Sequence, residues 1–102
     1  MTTRERNIPL PMEDILAFCQ RNPIRKLSLF GSVLRDDFTE KSDVDFLVEL
    51  VPNSRVGLFK FIDMQFQLED MIGRKVDLRT VNNFPDTLRK HVLESAETVY
   101  VR

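Results

Sequence analysis

Three aspartates have the type and spacing to do chemistry together: Asp43, Asp45 and Asp77. The run from Asp43 to Leu50 alternates, with Val44, Phe46, Val48 and Leu50 facing one way and Asp43, Asp45, Leu47 and Glu49 the other. Residues i and i+2 of a strand share a face with Cα atoms about 6.5 Å apart, near enough for two carboxylates to converge on one cation or a pair of cations. Asp77, central in Val76-Asp77-Leu78, completes the cluster if its strand pairs with that one. Carboxylates gathered without a positive charge repel and raise one another's pKa. A hard divalent cation resolves the conflict, and Mg²⁺ held by a few carboxylates plus substrate phosphates is the usual arrangement. The plainer alternative is a set of solvated acids on a half-exposed sheet, but Asp disfavours strand interiors and two in one strand need a reason.

Upstream lies Leu29-Phe30-Gly31-Ser32, a strand running into Gly-Ser at the start of a short helix. Glycine there lets backbone N–H groups approach a phosphate closely, the helix N-terminus adds a favourable dipole, and the Ser32 hydroxyl is one more donor. Arg35, one turn later, can reach a phosphate from the same side. Each also has an ordinary reading: Gly31 as a turn residue, Ser32 as a helix N-cap, Arg35 as a surface arginine. What distinguishes them is the complete spacing, Gly31-Ser32, then ten residues, then Asp43-x-Asp45. At average residue frequencies that pattern arises by chance in roughly one chain of this length in a thousand.

The elements that must position these residues are punctuated by Pro9, Pro11, Pro23, Pro52 and Pro85. Met12, Ile15, Leu16 and Cys19 fall at i, i+3, i+4 and i+7, which predicts a helix over 11–21. A strand follows over 24–30, a brief helical turn over 32–35, a polar loop over 36–42 and the alternating strand over 43–50. A long helix is expected over 57–72, with Leu58, Phe61, Ile62, Leu68 and Ile72 on its inward stripe and Gly73 just past its end. Phe59, Met64, Phe66 and Met71 lie outside that stripe, so either the core wraps both flanks or this helix meets a partner or a second copy. A third strand is expected over 76–81, a last helix from Asn83 and Pro85 to Ser95 with Leu88 and Val92 inward, and an edge strand over 98–101. The fold class is α/β (α+β): a small mixed sheet of about four strands with helices packed mainly on one face. Strands two and three, joined by a helical crossover, can be parallel; the relative direction of strands one and two stays open.

The 102 residues, 42% hydrophobic and 30% charged, have the balance of one globular domain over 1–102, with 1–10 expected as a flexible N-terminal segment. One modest core fits and a second lobe does not, which excludes an enzyme carrying its own separate acceptor-binding domain. A formal net charge of −1 supplies no whole-molecule field for nucleic acid or membrane. The single Cys19, read as a small core residue, the absence of an apolar run of membrane length and the polar start point to a cytoplasmic chain. His91 has no second His or Cys near it in sequence and reads as a surface residue, and the basic pairs Arg25-Lys26, Arg74-Lys75 and Arg89-Lys90 read as solvated faces.

The spacing resembles the nucleotidyltransferase superfamily that includes DNA polymerase beta, whose hallmark is Gly-Ser, a loop, Asp-x-Asp and a third carboxylate on a following strand. Within it, the run Leu29 to Arg35, then Ser42 to Val48, Lys75-Val76-Asp77-Leu78 and the tail Leu88 to Leu93 look like the minimal nucleotidyltransferases, the MNT family, over about residues 12–101. One departure is visible: the loop arginine is commonly followed by Gly, and here Asp36 follows Arg35. The resemblance implies a polymerase beta-like fold and an antitoxin that transfers AMP from ATP to a tyrosine of a HEPN-domain RNase toxin encoded beside it. It further implies that Gly31 and Ser32 hold the triphosphate, with Arg35 beside them. Asp43 and Asp45 would bind two Mg²⁺, and Asp77 would complete one metal site and help deprotonate the attacking hydroxyl. Two other readings compete: an antitoxin that inhibits by steric binding, and a catalytic subunit that modifies a small molecule such as an aminoglycoside. A nucleic-acid acceptor is disfavoured by the near-neutral charge.

Overall fold

The computed structural model describes residues 8–34, 38–39 and 41–102, with the backbone alone at Ser32. Its strands are β1 (Ile24–Phe30), β2 (Val44–Leu50), β3 (Val76–Arg79) and β4 (Glu97–Val101); its helices are α1 (Met12–Arg21), α2 (Leu58–Ile72) and α3 (Asp86–Ser95). Short 3-10 turns occupy Gly31–Leu34 and Val81–Asn83. The strands form one sheet in the order β3-β2-β1-β4. β2 and β3 are parallel, as the α2 crossover permits, and β1 runs antiparallel to both β2 and β4.

Alternation along the strands sorts the side chains into two faces. On the covered face Leu27 pairs with Val48, Leu29 with Phe46, Val44 with Val76 and Phe46 with Leu78. These residues are buried together with Ile15, Phe18 and Cys19 of α1 and Met64 and Leu68 of α2. Burying each large side chain contributes about 1.5–3 kcal/mol, so this layer holds the domain together.

α1 carries Glu13 and Asp14 in its first turn and Arg21 in its last, matching the helix dipole at both ends. It stops before Pro23, where the Asn22 side-chain amide donates to the Phe18 carbonyl at 2.9 Å. Arg102 ties this junction together, donating to the α1 carbonyl Cys19 O at 2.9 Å and, past the helix end, to Asn22 O at 3.1 Å and Ile24 O at 3.0 Å. Burial pushes the Cys19 thiol up to about 11, against the opposing pull of the Arg102 guanidinium.

Four expectations are corrected. The inward line of α2 runs through Phe61, Met64, Leu68, Met71 and Ile72, whereas Leu58 is 71% exposed and Ile62 also faces solvent. The helix is rotated so that two polar side chains serve β3: Glu69 accepts from Val76 N at 3.0 Å and Gln65 from Leu78 N at 3.1 Å. A hydrophobic stripe alone could not reveal that the edge strand's N–H groups needed partners from this helix. β3 ends at Arg79 and not at Val81, because Asn83 turns the chain: its side chain accepts from Thr80 N at 2.9 Å and its N–H reaches Thr80 O at 3.0 Å. α3 buries Val92 but leaves Leu88 exposed, since the helix packs against the 81–83 turn and not across the covered face. Finally, the close of the segment expected to be loose joins the core: Ile8 is 5% exposed and Leu10 packs against its neighbours. Residues 1–7 lie outside the described residues. Among the described residues no helix is long and apolar enough to cross a membrane.

Candidate functional site

The other face of the sheet carries Lys26, Ser28 and Phe30 of β1, Asp45, Leu47 and Glu49 of β2, and Asp77 and Arg79 of β3, aligned by register. β1 finishes at the end where β2 and β3 begin, so Gly31, Asp45 and Asp77 meet at one end of the sheet. Asp45 and Asp77 are direct register partners on neighbouring parallel strands, which sets their backbones about 4.8 Å apart. Asp43 stands exposed immediately before β2, whose start is tied to β3 by Val44 N donating to Lys75 O at 3.0 Å.

Gly31 is required here for two reasons. Its φ of +76° lies in the left-handed region, and a Cβ at this position would sit 2.5 Å from Asp45 Oδ2. The turn that leaves β1 is therefore pressed against the Asp45 carboxylate, closer than any side chain allows. Ser32 follows in the 31–34 turn, and Arg35 lies outside the described residues.

Three residues that sequence reasoning missed also shape this end. Arg79 donates from Nε to Asp77 Oδ2 at 2.9 Å, with both side chains partly exposed. Its guanidinium lies 5.8 Å from the centroid of the Phe84 ring, which packs edge-on against Phe30 at 5.6 Å. Asp77, Arg79, Phe84 and Phe30 thus form a continuous line of contacts from β3 to β1 past Asp45. The i, i+2 relation of Asp77 and Arg79 was readable as a shared face; the Phe84 contact, made across the 81–83 turn, was not. Arg74, read as a solvated charge, instead donates to Thr39 O at 2.7 Å and Ser42 O at 3.1 Å and covers the Phe38 ring at 4.5 Å, pinning the approach to Asp43.

Among the described residues, no three His, Cys, Asp or Glu side chains stand together as a ready-made metal cage. The arrangement offers an N–H-bearing turn for an anion at Gly31 and hard oxygen donors from adjacent strands beside it.

The nucleotidyltransferase domain model matches residues 13–99. A protein adenylyltransferase, MntA, of Thermococcus cleftensis is 37% identical over 80% of this chain and 79% of its own length. A solved structure assigned as a minimal nucleotidyltransferase is 30% identical, covers 83% of this chain and 85% of its own, and superposes with a TM-score of 0.69. An MNT antitoxin in complex with a tri-AMPylated HEPN toxin of Shewanella oneidensis shares the fold at 16% identity, covering 89% of this chain and 70% of its own with a TM-score of 0.63. With a continuous match over nearly the whole sheet and its helices, the chain belongs to the nucleotidyltransferase domain family, among its minimal members.

Proposed function

We propose that this nucleotidyltransferase transfers AMP from ATP, with Mg²⁺, to a tyrosine of a HEPN-domain toxin and so acts as its antitoxin. The observation that carries the reading is the close packing of the left-handed Gly31 turn on Asp45, with Asp77 in register beside it. The adenylyltransferase activity named for the Thermococcus relative and the HEPN complex of the Shewanella antitoxin support the choice of donor and acceptor.

In this reading Gly31 and Ser32 hold the triphosphate, Arg35 adds positive charge, and Asp43, Asp45 and Asp77 gather at the α-phosphate. The acceptor hydroxyl oxygen forms a new bond to the α-phosphorus, the bond to the bridging oxygen breaks, and pyrophosphate leaves with the electron pair. Asp77 assists removal of the hydroxyl proton; its Oδ2 is held by Arg79, which fixes the carboxylate's direction. The donor set suits Mg²⁺, which takes one or two carboxylates together with substrate phosphates and does not need an all-protein cage. When bound there it supplies charge neutralisation at the phosphates and alignment for in-line attack.

The test is incubation of the protein with ATP labelled at the α-phosphate, Mg²⁺ and its HEPN-domain partner protein. Label on a partner tyrosine is expected, and its loss in Asp43→Asn and Asp45→Asn. An unlabelled partner would sink the proposal, and if the double Asn variant still neutralises the toxin, inhibition is steric.

A further inference from the structure

Beyond the carboxylate end, the same open face holds a cavity of about 500 Å³. Lys26, Ser28, Leu47 and Glu49 of the sheet line it, together with Val81, Leu93 and Thr98. Ser28 and Leu47 are one strand step from Phe30 and Asp45, and Lys26 is two steps away, about 13 Å from the carboxylate end. The cavity therefore adjoins the site along the strands.

Two of its polar groups lack partners. Ser28 is 3% exposed, its hydroxyl makes no hydrogen bond to another described residue, and what remains accessible of it opens on the cavity. Lys26 has no ion pair among the described residues, because the Glu49 opposite it is held by Arg25. A hydroxyl that opens on the cavity and an ammonium without an ion pair, on one strand face, are complementary to an anionic oxygen group. The distance matters too: a hydroxyl reacting at Asp45 would leave a group about four residues along an extended peptide directly over Lys26, and one about two residues or one nucleotide unit away within reach of the long Lys26 side chain.

We propose that this cavity is the acceptor seat, and that Lys26, with Ser28 donating, holds a carboxylate or phosphate carried by the acceptor near its reacting hydroxyl. The inference rests on the function proposed above. The anionic group has two sources, an acidic side chain of the acceptor protein or the phosphodiester of an AMP already attached to it.

Steady-state transfer by the full chain, with Lys26→Ala, Lys26→Glu, Lys26→Arg and Ser28→Ala, separates the outcomes. The acceptor is supplied unmodified or carrying one AMP. Lys26→Glu should raise the acceptor KM at least tenfold, leave the ATP KM within twofold, and be largely rescued by Lys26→Arg. A rise with unmodified acceptor identifies an acidic side chain; a rise confined to AMP-bearing acceptor identifies the phosphodiester. Unchanged acceptor KM in both arms overturns the proposal, as does an equal rise in the ATP KM, which would give the cavity to the donor nucleotide. If the wild-type chain transfers no AMP, the proposed function has failed, and equilibrium binding of the HEPN partner decides the seat. Tenfold weaker binding by Lys26→Glu upholds it and equal binding overturns it.

Discussion

The two faces of one sheet obey different rules. The covered face is apolar at every inward position and tightly packed against α1 and α2, so its residues are interchangeable in chemistry but constrained in shape. The open face bears Lys26, Ser28, Asp45, Asp77 and Arg79 on the same strands, where charge and hydrogen-bonding type are decisive. Neighbouring residues in one strand therefore answer to unrelated demands: Phe46 to packing, Asp45 to chemistry.

The largest expected effect tests the covered face. Phe46→Ala should lower stability by about 3–5 kcal/mol in urea unfolding, and a loss under 1 kcal/mol would deny Phe46 its central place. On the other face, Asp45→Asn should reduce AMP transfer by about 10²–10³-fold with stability changed by no more than about 1 kcal/mol. If instead Asp45→Asn unfolds the protein, the division between faces fails.

Cys19 gives the covered face a pH signature. Its pKa rises from 9.0 to about 11 in the folded chain, so the native state holds the proton more tightly than the unfolded state. The associated stability is complete below pH 9 and is lost as pH rises toward 11, amounting to about 2–3 kcal/mol relative to Cys19→Ala. Parallel pH–stability curves for the two proteins would contradict it.

Gly31→Ala tests the contact between turn and carboxylate. Strain at positive φ should cost about 1–2 kcal/mol, and displacement of Asp45 should lower kcat/KM more than the stability loss explains. The smallest effect belongs to Phe59, which is 87% exposed: Phe59→Ser should change stability by less than about 0.5 kcal/mol.

What could be read from the sequence follows the same division. Period-2 alternation located β2 and assigned its faces, and the Gly-Ser to Asp-x-Asp spacing singled out the end of the sheet at which Gly31 and Asp45 meet. Both are local patterns. The rotation of α2 was not legible, because it answers to β3 N–H groups that Gln65 and Glu69 satisfy from another element. Nor was the Arg79–Phe84–Phe30 line, which depends on a turn bringing Phe84 back over the sheet. The direction of β1 against β2 stayed open because the intervening loop carries no turn signature.

The parallel pairing of β2 with β3 also has a kinetic consequence. β1 and β2 can pair as a hairpin, but β3 reaches β2 only after α2 has crossed and docked. Until that crossover is made Asp77 is absent from beside Asp45, so the site is incomplete. Completion of the carboxylate row thus waits on the α2 crossover, a longer-range closure than the β1–β2 hairpin. Recovery of nucleotide transfer during refolding should therefore lag hairpin formation and keep time with the burial of Leu68 and Leu78.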